Sequence, residues 1–201
     1  MVRRTCYFVS DIKRRRALYL SLVRSQFEHC SSIWRPTGST MLHKFESLQK
    51  YCIKWILSEE YIRYNSNITY IQKCREVNLL PLMKLFALND LVLFHKIVYE
   101  LVPLKFPNYL SFFSGTTRLR SSHLDTVSIV SNLQPTRYNE SYLKKSFYFR
   151  THTEWNALPK EIRQILNPSS FKEATTKHIW NNILVGYEDQ DFGEFDFIDN
   201  G

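Results

Sequence analysis

The chain has 201 residues, a formal charge of +8 and only five glycines. A chain of this length can bury roughly 70% of the surface its unfolded form exposes, so it needs no disulfide or metal staple. Scarce glycine argues against a turn-rich sandwich and against a Gly-rich phosphate loop.

The charge is unevenly spread. Residues 1–187 hold all 27 Lys and Arg against 13 acids, whereas residues 188–201 hold six acids and no base. A basic body favours polyanionic partners such as nucleic acid or an anionic membrane; the plain alternative is a charged soluble surface. Cys6, Cys30, Cys52 and Cys74 form no C-x-x-C pair, so a zinc site is not expected; three of them fall within amphipathic helical patterns, where small buried thiols are expected. The apolar run at residues 6–10 is too short for a secretory signal, and no run approaches a membrane span. An intracellular setting, nucleus or cytoplasm, follows, and the Asn67-Ile68-Thr69 and Asn139-Glu140-Ser141 acceptor patterns are expected to be idle there.

Residues 11–34 read as one long helix. Leu20, Val23, Phe27, Cys30 and Trp34 recur at steps of three and four, Asp11 suits the N-cap, and Pro36 ends the run. Lys13, Arg14, Arg15 and Arg16 cover nearly a full turn, readable as a phosphate contact or import signal, or as a solvated basic turn. A second helix over residues 40–57 places Met41, Phe45, Leu48, Cys52 and Trp55 on one face and His43, Ser47, Lys50 and Lys54 on another. The short link between the two makes an antiparallel pair. Gln49 reads as a surface amide, with a nucleotide contact as the alternative.

Residues 59–66 look polar and irregular, and Asn67 reads as the cap of a short helix through Glu76. Pro81 then opens a helix with Leu82, Leu85, Phe86, Leu88, Leu91, Leu93, Phe94, Ile97 and Leu101, apolar most of the way round and so buried on several sides. Lys84, Asp90 and Lys96 are its polar exceptions.

Residues 111–138 suit a small β-hairpin or extended arm. Arg118 and Arg120 fall on one side of such a strand, where they touch phosphate or solubilise an edge. Residues 142–156 read as helix, with Lys144, Lys145 and Arg150 as further phosphate candidates. Pro159 stops this helix, and Asn156 can satisfy loose backbone groups at its end. Trp155 reads as core, with stacking on a base as the sharper alternative. Ser170-Phe171-Lys172-Glu173 has the capping-box pattern and starts a helix to about residue 184, with Phe171, Thr175 and Ile179 inward. Residues 188–201 are expected to form a solvated, disordered acidic tail; the alternative is that they fold back on the basic body and compete with a polyanion.

Three stretches, in order, carry a family resemblance. The first is Leu18, Tyr19, Leu22, Val23, Arg24, Glu28, Trp34 and Pro36; the second is Phe45-Glu46-Ser47-Leu48-Gln49-Lys50; the third is Trp155-Asn156-Ala157-Leu158-Pro159 with Phe171-Lys172. Together they resemble the thumb and downstream region of jockey-like non-LTR (LINE-type) retrotransposon reverse transcriptases, across residues 11–184. His29 stands where that family usually has Tyr, and Leu85-Phe86-Ala87 where it commonly has an Arg-Arg pair. The resemblance implies a mainly α fold: a thumb-like helical bundle over residues 1–110, then an extended arm with C-terminal helices over residues 111–187. It implies template–primer RNA or DNA as partner, with Arg14, Arg15, Arg24, Lys50 and Lys54 facing phosphates. A polymerase palm and fingers would be supplied elsewhere.

Polymerase chemistry needs carboxylates holding two metal ions. The Tyr/Phe-x-Asp-Asp signature is absent, and Asp196 and Asp199 lack a strand–turn–strand context. No H-E-x-x-H, G-x-S-x-G or Walker pattern occurs. No catalytic or metal-ligating residue, cofactor, membrane contact or small-molecule substrate is therefore expected; magnesium would belong to the missing palm. The competing expectation is a structural or protein-interaction module, or a decayed fragment, which exposed apolar surface would favour.

Overall fold

A computed structural model of the chain describes residues 6, 8–65, 67–112, 129–131 and 145–186. Arg118, Arg120, Lys144 and the acidic segment 188–201 lie outside the described residues. The fold is mainly α, and among the described residues two short strands pair antiparallel. The chain divides into two compact units, Met1–Phe86 with Trp180–Gly201, and Ala87–Ile179. The divisions fall inside two long helices, Leu82–Val98 and Pro168–Gly186.

The first unit begins with α1 (Ile12–Tyr19), whose N-terminus is capped by Asp11 accepting from the Arg14 N–H at 3.1 Å. A π-helical turn (Leu20–Arg24) and α2 (Ser25–Glu28) continue the rod. The expected single helix over residues 11–34 breaks there. Cys30 takes a left-handed conformation, φ 51°, and a separate short α3 (Ser31–Trp34) follows. The serines contribute: Ser21 Oγ donates to the Ala17 carbonyl and Ser25 Oγ to the Ser21 carbonyl, the back-bonding that loosens a helix ladder. Cys30 is consequently exposed, not part of an inner face.

The second long helix, α4 (Ser39–Leu57), forms as expected, but its buried face is rotated. Glu46, Gln49, Ile53, Ile56 and Leu57 are inside, while Met41 is half exposed. Residues 59–66 were expected to be irregular; α5 (Glu59–Tyr64) forms there, capped by Ser58. α6 (Tyr70–Glu76) starts at a capping box built by Thr69 and Gln72, not at Asn67. It ends in a Schellman motif: Leu79 N–H reaches the Cys74 carbonyl, Asn78 N–H reaches that of Arg75, and Asn78 sits at φ 50°. Tyr19, Ile53, Ile56, Leu57, Cys74, Val77 and Leu79 form the core, with Trp55 and Trp180 packed on it. Phe27, Trp34, Phe45 and Phe86 make an aromatic cluster within the same unit.

The second unit is built on the later part of α7 (Leu82–Val98). That helix also ends in a Schellman motif, with Glu100 at φ 53° in the position glycine usually takes. Leu101, expected inward, is 52% exposed beyond this stop. β1 (Leu110–Phe112) pairs antiparallel with β2 (Ile129–Ser131), Ser111 opposite Val130. Then come α8 (Phe147–Asn156), the short α9 (Lys160–Arg163) and α10 (Pro168–Gly186). Asn167 Oδ1, not a Ser170 capping box, accepts the Ser169 and Ser170 N–H groups, with Pro168 in the first helical turn. Glu173 pairs instead with Lys177 one turn on. Leu91, Phe94, Leu110, Trp155, Leu158 and Phe171 form this unit's core.

Candidate nucleic-acid interface

The interface candidates begin on α4. Its one carboxylate, Glu46, is on the buried face at 1% exposure. Lys44 and Lys54 are exposed on the solvent face, together with Tyr51. Lys50 stands at the edge of that face, its ammonium 5.1 Å from the centre of the Tyr70 ring. The roughly three turns from Lys44 to Lys54 thus carry three lysines and present no acid to solvent. Lys44 and Tyr51 were not singled out in the sequence; their spacing from Lys54 is the signal that could have found them.

Beneath this face lies a buried polar network. Tyr19 Oη donates to Gln49 Oε1 at 3.1 Å, and Gln49 Nε2 donates to the Leu80 carbonyl at 2.9 Å and to Tyr70 Oη at 3.2 Å. Tyr70 Oη in turn donates to Glu46 Oε1. Glu46 Oε2 accepts the Met83 N–H at 3.2 Å, so a carboxylate sits at the N-terminus of α7, where orphan donors and the helix dipole favour it. Burial raises the Glu46 pKa, opposed by the hydrogen bonds from Tyr70, Met83 and Leu82. Burial likewise pushes the neighbouring Cys74 thiol up to about 12. Gln49 is fully buried, so the expected surface amide, or nucleotide contact, is a core hydrogen-bond hub.

Several arginines expected at phosphates are engaged within the chain. Arg15 donates Nη1 to the Trp55 carbonyl at 2.8 Å and lies over the Trp55 ring. Arg16 donates Nε to the Val77 carbonyl at 2.7 Å and Nη2 to that of Asn78 at 3.2 Å. The basic turn therefore closes the C-terminal ends of α4 and α6, whose last carbonyls have no partner inside their own helices. Arg24 is 5% exposed, with Nε on Glu28 Oε1 at 2.9 Å. Arg150 pairs with the fully buried Asp90. Arg14 and Lys145 remain exposed.

The motif residues of the second unit are also interior. Trp155 and Phe171 are fully buried and Leu158 nearly so, while Asn156 is exposed and Pro159 caps α9. Trp155 offers no face to a base. His95, which the sequence left unassigned, stacks on Phe171 with centroids 4.2 Å apart and bonds through Nε2 to the Ile165 carbonyl at 2.6 Å. In the first unit Trp34 packs on Phe45 and Phe86, and its Nε1 donates to the His29 carbonyl.

Among the described residues no three His, Cys, Asp or Glu side chains gather as a metal site. Among the described residues no helix is long and apolar enough to cross a membrane. No protein-family model, curated protein or solved structure matches the chain.

Proposed function

We propose that the chain binds nucleic acid through the solvent face of α4, as a helical module resembling the non-catalytic, thumb-and-downstream part of a non-LTR reverse transcriptase. The observation that carries the binding reading is the charge asymmetry of α4: Lys44 and Lys54 exposed, Lys50 beside them, and the helix's only carboxylate turned inward. Lysines on one face neutralise phosphates and release counterions, which gives affinity without sequence preference.

The test is oligonucleotide binding by fluorescence anisotropy across a salt series. Three phosphate contacts predict that log affinity falls against log salt with a slope of about −2 to −3. Replacing Lys44 and Lys54 together with Glu should weaken binding to all sequences alike. Affinity indifferent to salt and to both substitutions overturns the reading.

A second reading, a protein-interaction module, is favoured by one observation. Ile33 is 84% exposed, Met41 50% and Trp34 37%, in and beside the Phe45 aromatic cluster. Single exposed apolar residues are ordinary, but grouped ones mark docking surfaces. Concentration-dependent self-association that Met41→Asp abolishes would support it; a monomer at all concentrations counts against a self-docking face.

A further inference from the structure

We infer that the nucleic acid held on α4 is single-stranded, with the Tyr51 ring as the platform on which one base stacks. The inference rests on α4 being the phosphate-binding face. Tyr51 follows Lys44 by seven residues and precedes Lys54 by three, so all three share the solvent side of the helix. The two lysines span about 15 Å of axis at ~1.5 Å per residue, and the ring lies between them. Phe45 packs with Phe27, Trp34 and Phe86, while Trp55, one turn beyond Tyr51 on the same side, is partly buried against the first unit's core with the Arg15 guanidinium over its ring. Tyr51 is 38% exposed.

A strand whose phosphates reach both Lys44 and Lys54 must cross the Tyr51 ring. A single strand can turn a base onto that ring, because every base has a π-face. A duplex keeps its bases stacked against each other and presents only phosphates and groove edges there. Neither an ammonium nor a ring reads base edges, so binding tolerates sequence.

Anisotropy titrations of the full chain would use a short mixed-sequence DNA strand, its RNA counterpart and a duplex of the same length. The single strands should bind more tightly than the duplex. Tyr51→Ala should weaken single-strand binding about tenfold, leave duplex binding and the salt slope unchanged, and be rescued by Tyr51→Phe. Circular dichroism checks that each variant keeps its helices. Equal affinity for duplex and single strand, or a Tyr51→Ala variant that is silent or weakens both alike, overturns the inference. A Lys44→Glu, Lys54→Glu variant separates the two levels: if it loses binding while Tyr51→Ala is silent, only stacking fails. If it keeps binding and salt dependence, the phosphate-binding reading of α4 fails.

Discussion

Arg150 grips Asp90 through two guanidinium nitrogens, Nε to Oδ2 at 2.9 Å and Nη2 to Oδ1 at 3.4 Å. Asp90 is fully buried on α7, so its charge has no water to retreat to. The same guanidinium donates Nη1 to the Lys145 carbonyl and lies over the Phe147 ring, which ties α8 to the residues that precede it. Removing one partner of a buried ion pair strands the other. Arg150→Ala is expected to cost about 3–5 kcal/mol. Arg150→Lys, which keeps the charge but loses the fork, should recover only part of that. Urea denaturation monitored by circular dichroism measures both; a cost of Arg150→Ala within the range of ordinary surface substitutions would show that Asp90 finds another partner.

Gln49 joins three elements through one amide, touching Tyr19, Tyr70 and the Leu80 carbonyl. Truncation leaves buried polar groups without partners, at roughly 1–3 kcal/mol each where no water replaces the amide. Gln49→Ala should therefore destabilise the protein by at least that amount. An unchanged urea midpoint would refute this account of the network.

How much of this was legible in the sequence depended on how local the cause was. Asp11 as an N-cap and Pro81 before α7 were readable, because capping and the proline ring act within one turn. The inner face of α4 was not. Glu46 and Gln49 have surface-like side chains, and only partners from distant segments make their burial tolerable. The reading through Met41, Phe45, Leu48, Cys52 and Trp55 followed hydropathy and missed the Ile53–Ile56 side. Arg15 and Arg16 misled for a related reason. A run of four basic residues looks like a phosphate site until the ends of α4 and α6 arrive with their open carbonyls. In the second unit, Trp155 and Phe171 were readable as core, but their third partner, His95, carried no signal of its own.

His95 makes stability depend on pH. Burial lowers its pKa from the ordinary 6.5, with Lys96 adding to the shift and the Ile165 carbonyl opposing it. The unfolded chain then binds a proton at a higher pH than the folded one. Stability is full above pH 6.5 and is lost as pH falls from there through the lowered folded value. His95→Gln should flatten the loss in this window. Glu46 works in the opposite sense: its raised pKa makes the folded chain the stronger proton binder, so its share of stability falls as pH rises from 4.5 through the folded value. Urea midpoints of wild type, His95→Gln and Glu46→Gln across pH 4 to 8 separate the two; a His95→Gln profile parallel to wild type would remove His95 from this role.

The four cysteines should react in an order set by burial. Cys30 is exposed at the break between α2 and α3, and Cys6 is partly buried. Burial pushes the Cys52 thiol up to about 11 and that of Cys74 to about 12. The thiolate is the nucleophile, so at mildly alkaline pH these two hold almost none of it and are also screened from reagent. A disulfide reagent added to the native protein should give a fast phase that Cys30→Ser deletes. Cys52 and Cys74 should react only when denaturant opens the first unit, and their rate should then follow its unfolding curve. Fast native-state labelling of Cys74 would contradict the core placement of α6, and with it the network around Gln49.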